Sequence, residues 1–124
     1  MAEILLIDDM AGVRRAVTSM LSRAGHAVTV SENGAQGLEM LRGRKFDLVV
    51  TDMLMPGADG ADVLSYVGGL ATRLPVIAIS GGGAGLSADG ALRLARVKAD
   101  AFLEKPFTRE ELIGAVDKLL GTKN

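Results

Sequence analysis

Five polar side chains in this chain of 124 residues have the chemistry needed to transfer a phosphoryl group. Three are the carboxylates of Asp8, Asp9 and Asp52, and the others are the Ser80 hydroxyl and the Lys105 ammonium. Crowded carboxylates repel one another unless a cation lies between them, and oxygen ligands of this kind suit Mg²⁺. A carboxylate can also attack phosphorus to give an aspartyl phosphate, whose oxygens then need cations and hydrogen-bond donors. If the fold gathers these residues, the pattern predicts Mg²⁺-dependent phosphoryl transfer.

Five short apolar segments predict the strands of a sheet that is buried on both faces. Their first residues lie about 25 residues apart, the length of one strand plus one helix. Strands that are apolar throughout and alternate with helices belong to a parallel sheet with helices on both faces. The fold class predicted is therefore α/β, a three-layer (βα)5 sandwich with a five-stranded parallel sheet. The segments are Ile4–Ile7, Ala27–Val30, Leu48–Thr51, Val76–Ile79 and Ala101–Glu104.

Apolar residues with helical spacing lie between the predicted strands. The last helix has the clearest signal, because Thr108 and Glu111 form a capping-box pattern ahead of an apolar run and Gly121 follows it. Four earlier helices are predicted from the spacing of aliphatic residues. Their apolar positions are Val13, Val17, Met20 and Leu21; Leu38 and Leu41; Val63, Leu64 and Val67; and Leu92, Leu94 and Ala95.

All five chemical side chains follow or end a predicted strand. Asp8 and Asp9 follow the first strand, Asp52 the third and Ser80 the fourth, and Lys105 follows the fifth. In an open parallel sheet, ligands bind beyond the carboxyl ends of the strands. We therefore expect the three carboxylates, the hydroxyl and the ammonium to meet at one edge of the sheet.

Composition excludes several classes of function. With 14 basic and 15 acidic side chains, the formal charge of −1 gives no reason to expect binding to nucleic acid or to an anionic membrane. The chain has no cysteine and one histidine, His26, which excludes disulfides, thiol catalysis and multi-histidine metal sites. No apolar run is long enough to cross a membrane. We expect a single domain over residues 1–124, with no output domain, in the cytoplasm.

Four motifs occur in order along the chain. They are Asp8-Asp9, the segment Val49–Gly57, Ser80, and Lys105-Pro106-Phe107. Together they resemble the receiver domain of two-component response regulators, over about Ile4 to Leu120. The resemblance implies a flavodoxin/CheY-like fold with strand order 2-1-3-4-5.

The resemblance also implies the central chemistry. It makes Asp52 the phosphoacceptor, which receives a phosphoryl group from a histidine kinase or a histidine phosphotransfer protein. Asp8, Asp9 and Asp52 would hold Mg²⁺, for which Mn²⁺ can substitute, and the backbone carbonyl of Leu54 would complete the site. No other cofactor is implied.

Four further residues take roles by the same resemblance. Lys105 would contact the phosphoryl group, and Ser80 is the switch hydroxyl that turns toward it. Phe102 occupies the position of the switch aromatic residue, without the hydroxyl often found there. The bond from Lys105 to Pro106 corresponds to a cis peptide bond of the family, which is energetically reasonable only before proline.

The function so implied is a signalling switch rather than an enzyme, since the domain catalyses only its own phosphorylation and dephosphorylation. Phosphorylation would shift the face formed by the fourth helix, the fifth strand and the fifth helix. The output would be binding to a downstream protein or transfer of the phosphoryl group in a relay. No partnership with nucleic acid or membrane is expected.

Three alternative functions stay open from the residues. A Mg²⁺-dependent phosphohydrolase would use the same nucleophile, but Leu54 lies where such enzymes usually place a second acid. A flavodoxin-like cofactor carrier would need a phosphate-binding loop after the first strand and aromatic residues, which make up only 3% of the chain. A docking module that works without phosphorylation is the third.

Simpler structural interpretations exist for several residues. Asp8 and Asp9 could cap the first helix, whose amino end favours acidic side chains. Arg14 and Arg15 are predicted on a solvated helix face, and His26 at the surface before the second strand. The glycine-rich stretch 81–85 lacks the Gly-Lys-Ser/Thr of a nucleotide-binding loop and is predicted to be a flexible loop.

Overall fold

Five strands form one parallel sheet in the computed structural model, which describes residues 2–52, 60–70, 74–81 and 99–121. The strand order is β2-β1-β3-β4-β5, and every neighbouring pair is parallel. This order confirms the predicted α/β class and topology. The strands are β1 (Glu3–Ile7), β2 (Ala27–Ser31), β3 (Leu48–Asp52), β4 (Val76–Gly81) and β5 (Ala101–Lys105).

Helices connect the strands and cover both faces of the sheet. The helix predicted around Leu92 lies outside the described residues, so the helix labelled α4 is the fifth of the sequence prediction. The helices in the described part of the chain are α1 (Ala11–Arg23), α2 (Gly34–Gly43), α3 (Gly60–Gly68) and α4 (Arg109–Leu120).

The core has two parts, one on each face of the sheet. Alternate residues of a strand point to opposite faces, so Leu5 and Ile7 of β1 enter one cluster and Ile4 and Leu6 enter the other. The first cluster packs against α2 and α3, and the second against α1 and α4. All four of these β1 side chains are fully buried, which is why the sequence of this strand is apolar throughout.

The amino end of α4 has the capping box that the sequence predicts. The Thr108 hydroxyl accepts a hydrogen bond from the Glu111 backbone N–H at 3.0 Å. In return the Glu111 carboxylate accepts one from the Thr108 N–H at 2.8 Å. Gly121 ends the helix with a φ of 66°, a left-handed conformation that glycine adopts without steric cost. The prediction for this helix is confirmed at both ends.

Helix α2 approaches β1 closely at Gly37. A Cβ atom at this position would lie 2.9 Å from Ile7 Cγ1, still nearer to Ile7 Cδ1, and 3.5 Å from the Ser31 hydroxyl. The missing side chain therefore lets α2 pack directly on the end of β1. Ile7 is the residue before Asp8, so this contact supports the strand end that carries the acidic residues.

His26 is buried, and its predicted surface position is wrong. Only 9% of the residue is exposed. Its Nδ1 accepts a hydrogen bond from the Ala2 backbone N–H at 3.1 Å. The imidazole thus satisfies a backbone donor at the start of the sheet, which allows a polar ring to be buried.

Within the residues that the structure describes, none of the helices combines the length and apolar character needed to cross a bilayer.

Candidate functional site

Strand register brings the acidic residues together at the carboxyl edge of the sheet. Ile7 of β1 pairs with Thr51 of β3, so Asp8 and Asp52 each come one residue after this pair on neighbouring strands. Lys105 ends β5, which is separated from β3 by β4. Its backbone pairs with Gly81 at the end of β4. The long lysine side chain spans the gap across β4.

Three carboxylates form a compact cluster at this edge. Asp8, Asp9 and Asp52 each offer an oxygen, and the three oxygens lie within 4.8 Å of one another. Asp8 is fully buried and Asp52 almost so, whereas Asp9 is exposed. Buried carboxylates are costly unless they are paired or bind a cation. The cluster is thus a poor arrangement for stability alone.

Lys105 supplies positive charge to the two buried carboxylates. Its Nζ lies 3.4 Å from Asp8 Oδ2 and 3.4 Å from Asp52 Oδ2, and its side chain is 19% exposed. Both distances are long for charge-assisted hydrogen bonds, which cluster at about 2.7–2.9 Å. The ammonium therefore sits between two carboxylates without binding either one closely.

Asp8 is held through each of its polar atoms. Its backbone N–H donates to the Ser31 carbonyl at 3.1 Å, and its Oδ1 accepts from the Met10 N–H at 2.9 Å. Its carbonyl oxygen accepts from Arg14 Nη1 at 2.7 Å. The remaining oxygen, Oδ2, faces Lys105. Asp8 is thereby fixed in the cluster by contacts from four parts of the chain.

The simpler interpretations of this region hold only in part. Helix α1 has Met10 at its N-cap, so neither Asp8 nor Asp9 is the N-cap residue, although Asp8 Oδ1 accepts from the Met10 N–H. Arg14 is half-buried and bonded to Asp8, so its predicted place on a solvated face is wrong. Arg15 is exposed, as predicted. Sequence reasoning missed the contact of Arg14 because the acceptor is a backbone carbonyl, which any residue type provides.

The other predicted site residues are placed less completely. Ser80 lies near the end of β4, where its backbone pairs with Glu104; its side chain and all of Leu54 lie outside the described structure. Phe102 is half-buried in β5 and packs with the core cluster that faces α2 and α3. The peptide bond between Lys105 and Pro106 is cis.

The cluster fits Mg²⁺ by the chemistry of its donors. Mg²⁺ binds oxygen ligands, usually through one or two carboxylates together with water and substrate phosphate. Asp8 and Asp52 provide buried carboxylates and Asp9 an exposed one, with their oxygens close enough to share one ion. The exposed side at Asp9 leaves room for water ligands.

An apolar groove of about 310 Å³ lies beside the acidic cluster. It runs between α1 and the segment that follows β5, and Lys105 contributes to both the groove and the cluster. Its walls are Gly12, Val13, Ala16, Val17, Met20, Lys105, Pro106 and Phe107.

Comparison with known proteins gives consistent results. A family model described as response regulator receiver domain matches residues 4–117. The transcriptional regulatory protein GlrR of Escherichia coli K12 is 31% identical over 119 residues, which cover 96% of this chain and 26% of GlrR. The transcriptional regulatory protein FixJ of Bradyrhizobium diazoefficiens is 32% identical over 117 residues, which cover 94% of this chain and 56% of FixJ.

One solved structure superposes on this chain over almost the whole length of both proteins. The response regulator receiver domain protein from Clostridium thermocellum superposes with a TM-score of 0.85 at 28% identity, covering 98% of this chain and 95% of that one. The chain thus spans about a quarter to about half of the two curated relatives, but nearly all of this receiver structure.

Proposed function

This chain belongs to the response regulator receiver domain family of two-component systems, and on that basis we propose that Asp52 accepts a phosphoryl group in a Mg²⁺-dependent reaction. Receiver domains are signalling switches that interact with histidine kinases or phosphotransfer proteins. One observation carries the proposal. Asp52 ends β3 beside two further carboxylates, with the Lys105 ammonium 3.4 Å from its Oδ2.

The transfer follows from the chemistry of Asp52. One carboxylate oxygen forms a bond to phosphorus while the bond between phosphorus and the donor imidazole nitrogen breaks. The imidazole leaves with that electron pair and is protonated, and the product on Asp52 is an acyl phosphate. No general base is needed, because a carboxylate is already ionised at neutral pH.

Lys105 is proposed to stabilise the transferred group. In the described structure its Nζ is shared between Asp8 and Asp52 at equal distances. Phosphorylation of Asp52 removes one of these carboxylate charges and adds phosphoryl oxygens at the same place. The ammonium can then pair with a phosphoryl oxygen after only a small movement, which stabilises charge that develops during transfer.

Asp8, Asp9 and Asp52 are the residues proposed to hold Mg²⁺, with the Leu54 carbonyl as a further ligand. A bound Mg²⁺ supplies neutralisation of the phosphoryl oxygens. The protein contributes the rigid placement of Asp8, which is fixed by Ser31, Met10 and Arg14.

The groove beside Lys105 supports docking of the phosphodonor protein at α1. A donor must bring its phosphohistidine to Asp52, and Lys105 belongs to both the groove and the acidic cluster. The groove walls are largely apolar, as in the central part of many protein interfaces.

The proposed output is a change in a protein-binding surface. The added charge would draw in the Ser80 hydroxyl and shift Phe102, altering the face formed by β5, α4 and the helix predicted near Leu92. A downstream protein or a relay partner would read this change. We propose that these 124 residues act as one domain, which works as a switch without sustained turnover as an enzyme.

The test is intact mass after incubation with acetyl phosphate, with and without Mg²⁺. Wild type should gain one phosphoryl group only with Mg²⁺, and Asp52→Asn should gain none. Asp47→Asn is the matched control, because Asp47 is an exposed aspartate whose Oδ2 bonds the Glu3 N–H, in the segment before β3; it should be phosphorylated like wild type. An adduct on Asp52→Asn would refute the proposal. Repeated hydrolysis of phosphate monoesters would favour the phosphohydrolase instead, and Mg²⁺ binding without any adduct would favour the docking module.

A further inference from the structure

We propose that Arg14 is a positioning residue for the Mg²⁺ site, acting through the backbone of Asp8 and Asp9. This inference rests on the proposed function of the acidic cluster. Its basis is the hydrogen bond from Arg14 Nη1 to the Asp8 carbonyl oxygen, which at 2.7 Å is the shortest of the bonds that hold Asp8.

The Asp8 carbonyl controls the direction of Asp9. This carbonyl belongs to the planar peptide unit that joins Asp8 to Asp9, so fixing its oxygen fixes the plane of that unit. In the described part of the chain the Asp9 carboxylate has no hydrogen-bond partner, and it is exposed. The backbone therefore has to hold Asp9 near the other two acids. Arg14 restrains that backbone through the Asp8 carbonyl, whereas the Met10 N–H restrains the Asp8 side chain.

The place of Arg14 in α1 is unusual and supports this role. The amino end of a helix favours acidic side chains and disfavours cations. Helix α1 has no acidic residue in its first turn, no side-chain cap and Arg14 close to its start. Side chains on a helix lean toward its amino end, which carries the guanidinium back to the loop with Asp8. Arg14 thus occupies a position that helix preferences disfavour for a cation, and there its side chain fixes the loop that contains Asp8.

Charge alone predicts the opposite effect on metal binding. Removing a cation near a Mg²⁺ site should tighten Mg²⁺ binding, because repulsion is lost. Positioning predicts weaker binding, since Asp9 loses its fixed direction. Arg15 provides a matched control, because it is the adjacent residue, carries the same charge and is exposed.

The test is a MgCl₂ titration of isotope-labelled wild type, Arg14→Met, Arg14→Lys and Arg15→Met, followed through the amide resonances of Asp9 and Met10. Methionine keeps the helix propensity and the apolar stem of arginine. We expect Arg14→Met to raise the Mg²⁺ dissociation constant by about 10- to 100-fold, the usual effect of losing a residue that orients metal ligands. Arg15→Met should stay within about twofold of wild type, because an exposed charge is screened.

A second readout needs no metal. The ¹³C resonance of the Asp8 carbonyl should move in metal-free Arg14→Met and stay in place in Arg15→Met. Arg14→Lys keeps the charge but not the planar fork, so it should weaken Mg²⁺ binding less than Arg14→Met; it carries the test if Arg14→Met does not fold. Equal Mg²⁺ affinity in Arg14→Met and Arg15→Met, with wild type binding Mg²⁺, would overturn the inference alone. A wild-type chain that does not respond to Mg²⁺ would overturn the proposed function and this inference with it.

Discussion

Alanine at Gly37 should destabilise the fold, whereas alanine at Gly114 should stabilise it. Both glycines lie in helices, in α2 and α4, where replacing glycine by alanine typically contributes about 1 kcal/mol of helix propensity. At Gly114 a new Cβ would meet no atom within 4 Å. The propensity gain should therefore appear in full, as about 0.5–1 kcal/mol of added stability.

At Gly37 the same gain is opposed by a steric clash. The new Cβ would lie 2.9 Å from Ile7 Cγ1, and Ile7 is fully buried in the core, so its side chain cannot swing away into solvent. Overpacking of this kind costs about 1–3 kcal/mol. Subtracting the propensity gain leaves a net loss of up to about 2 kcal/mol.

Urea unfolding followed by far-ultraviolet circular dichroism measures both variants against wild type. The difference between the two variants should be about 1–3 kcal/mol, because the propensity gain cancels and the clash remains. If Gly37→Ala proves as stable as Gly114→Ala, the close approach of α2 to β1 is wrong.

Two further predictions concern Lys105 and Thr108. Without Mg²⁺, Lys105→Met should lower the free energy of unfolding by about 1–3 kcal/mol, because the buried Asp8 and Asp52 lose a charged partner. Addition of MgCl₂ should restore more stability to this variant than to wild type. Urea midpoints with and without MgCl₂ test this, with exposed Lys118→Met as control, and equal midpoints for the two variants would contradict it. Thr108→Ala should lower the free energy of unfolding by about 1 kcal/mol, because it removes the cap of α4. Thr108→Ser keeps the hydroxyl and should be nearly as stable as wild type. Equal thermal unfolding of the two variants would show that the capping bond contributes nothing.

The fold was largely predictable because its strands are buried on both faces. Strands buried in this way are short apolar runs that can be recognised in the sequence, as in β1 and β3. The polar residues of the site lie at the ends of these two runs. The sheet edge then follows from topology, since parallel strands bring their carboxyl ends together. The strand order needed the resemblance to a known family, because apolar runs carry no information about their neighbours.

Hydrogen bonds to backbone groups and close approaches between elements were not predictable from the sequence. Arg14 bonds a carbonyl and His26 bonds an N–H, and neither partner group depends on residue type. Gly37 and Gly114 are the same residue in similar helices, yet only Gly37 faces a neighbour that excludes a side chain. The contacts of His26 and Gly37 join parts of the chain that are far apart in sequence. That of Arg14 depends on the direction of a carbonyl six residues away. Local residue patterns contain neither kind of information.

The most direct test of the central claim is to locate the phosphoryl group. Borohydride reduction converts an acyl-phosphorylated aspartate to homoserine, which peptide mass mapping assigns to a position in the chain. After treatment with acetyl phosphate and Mg²⁺, homoserine should appear at Asp52 and at none of the other eight aspartates of the chain. Homoserine at Asp8 or Asp9, or at no position despite a phosphoryl adduct in the intact mass, would contradict the assignment of Asp52 as the phosphoacceptor.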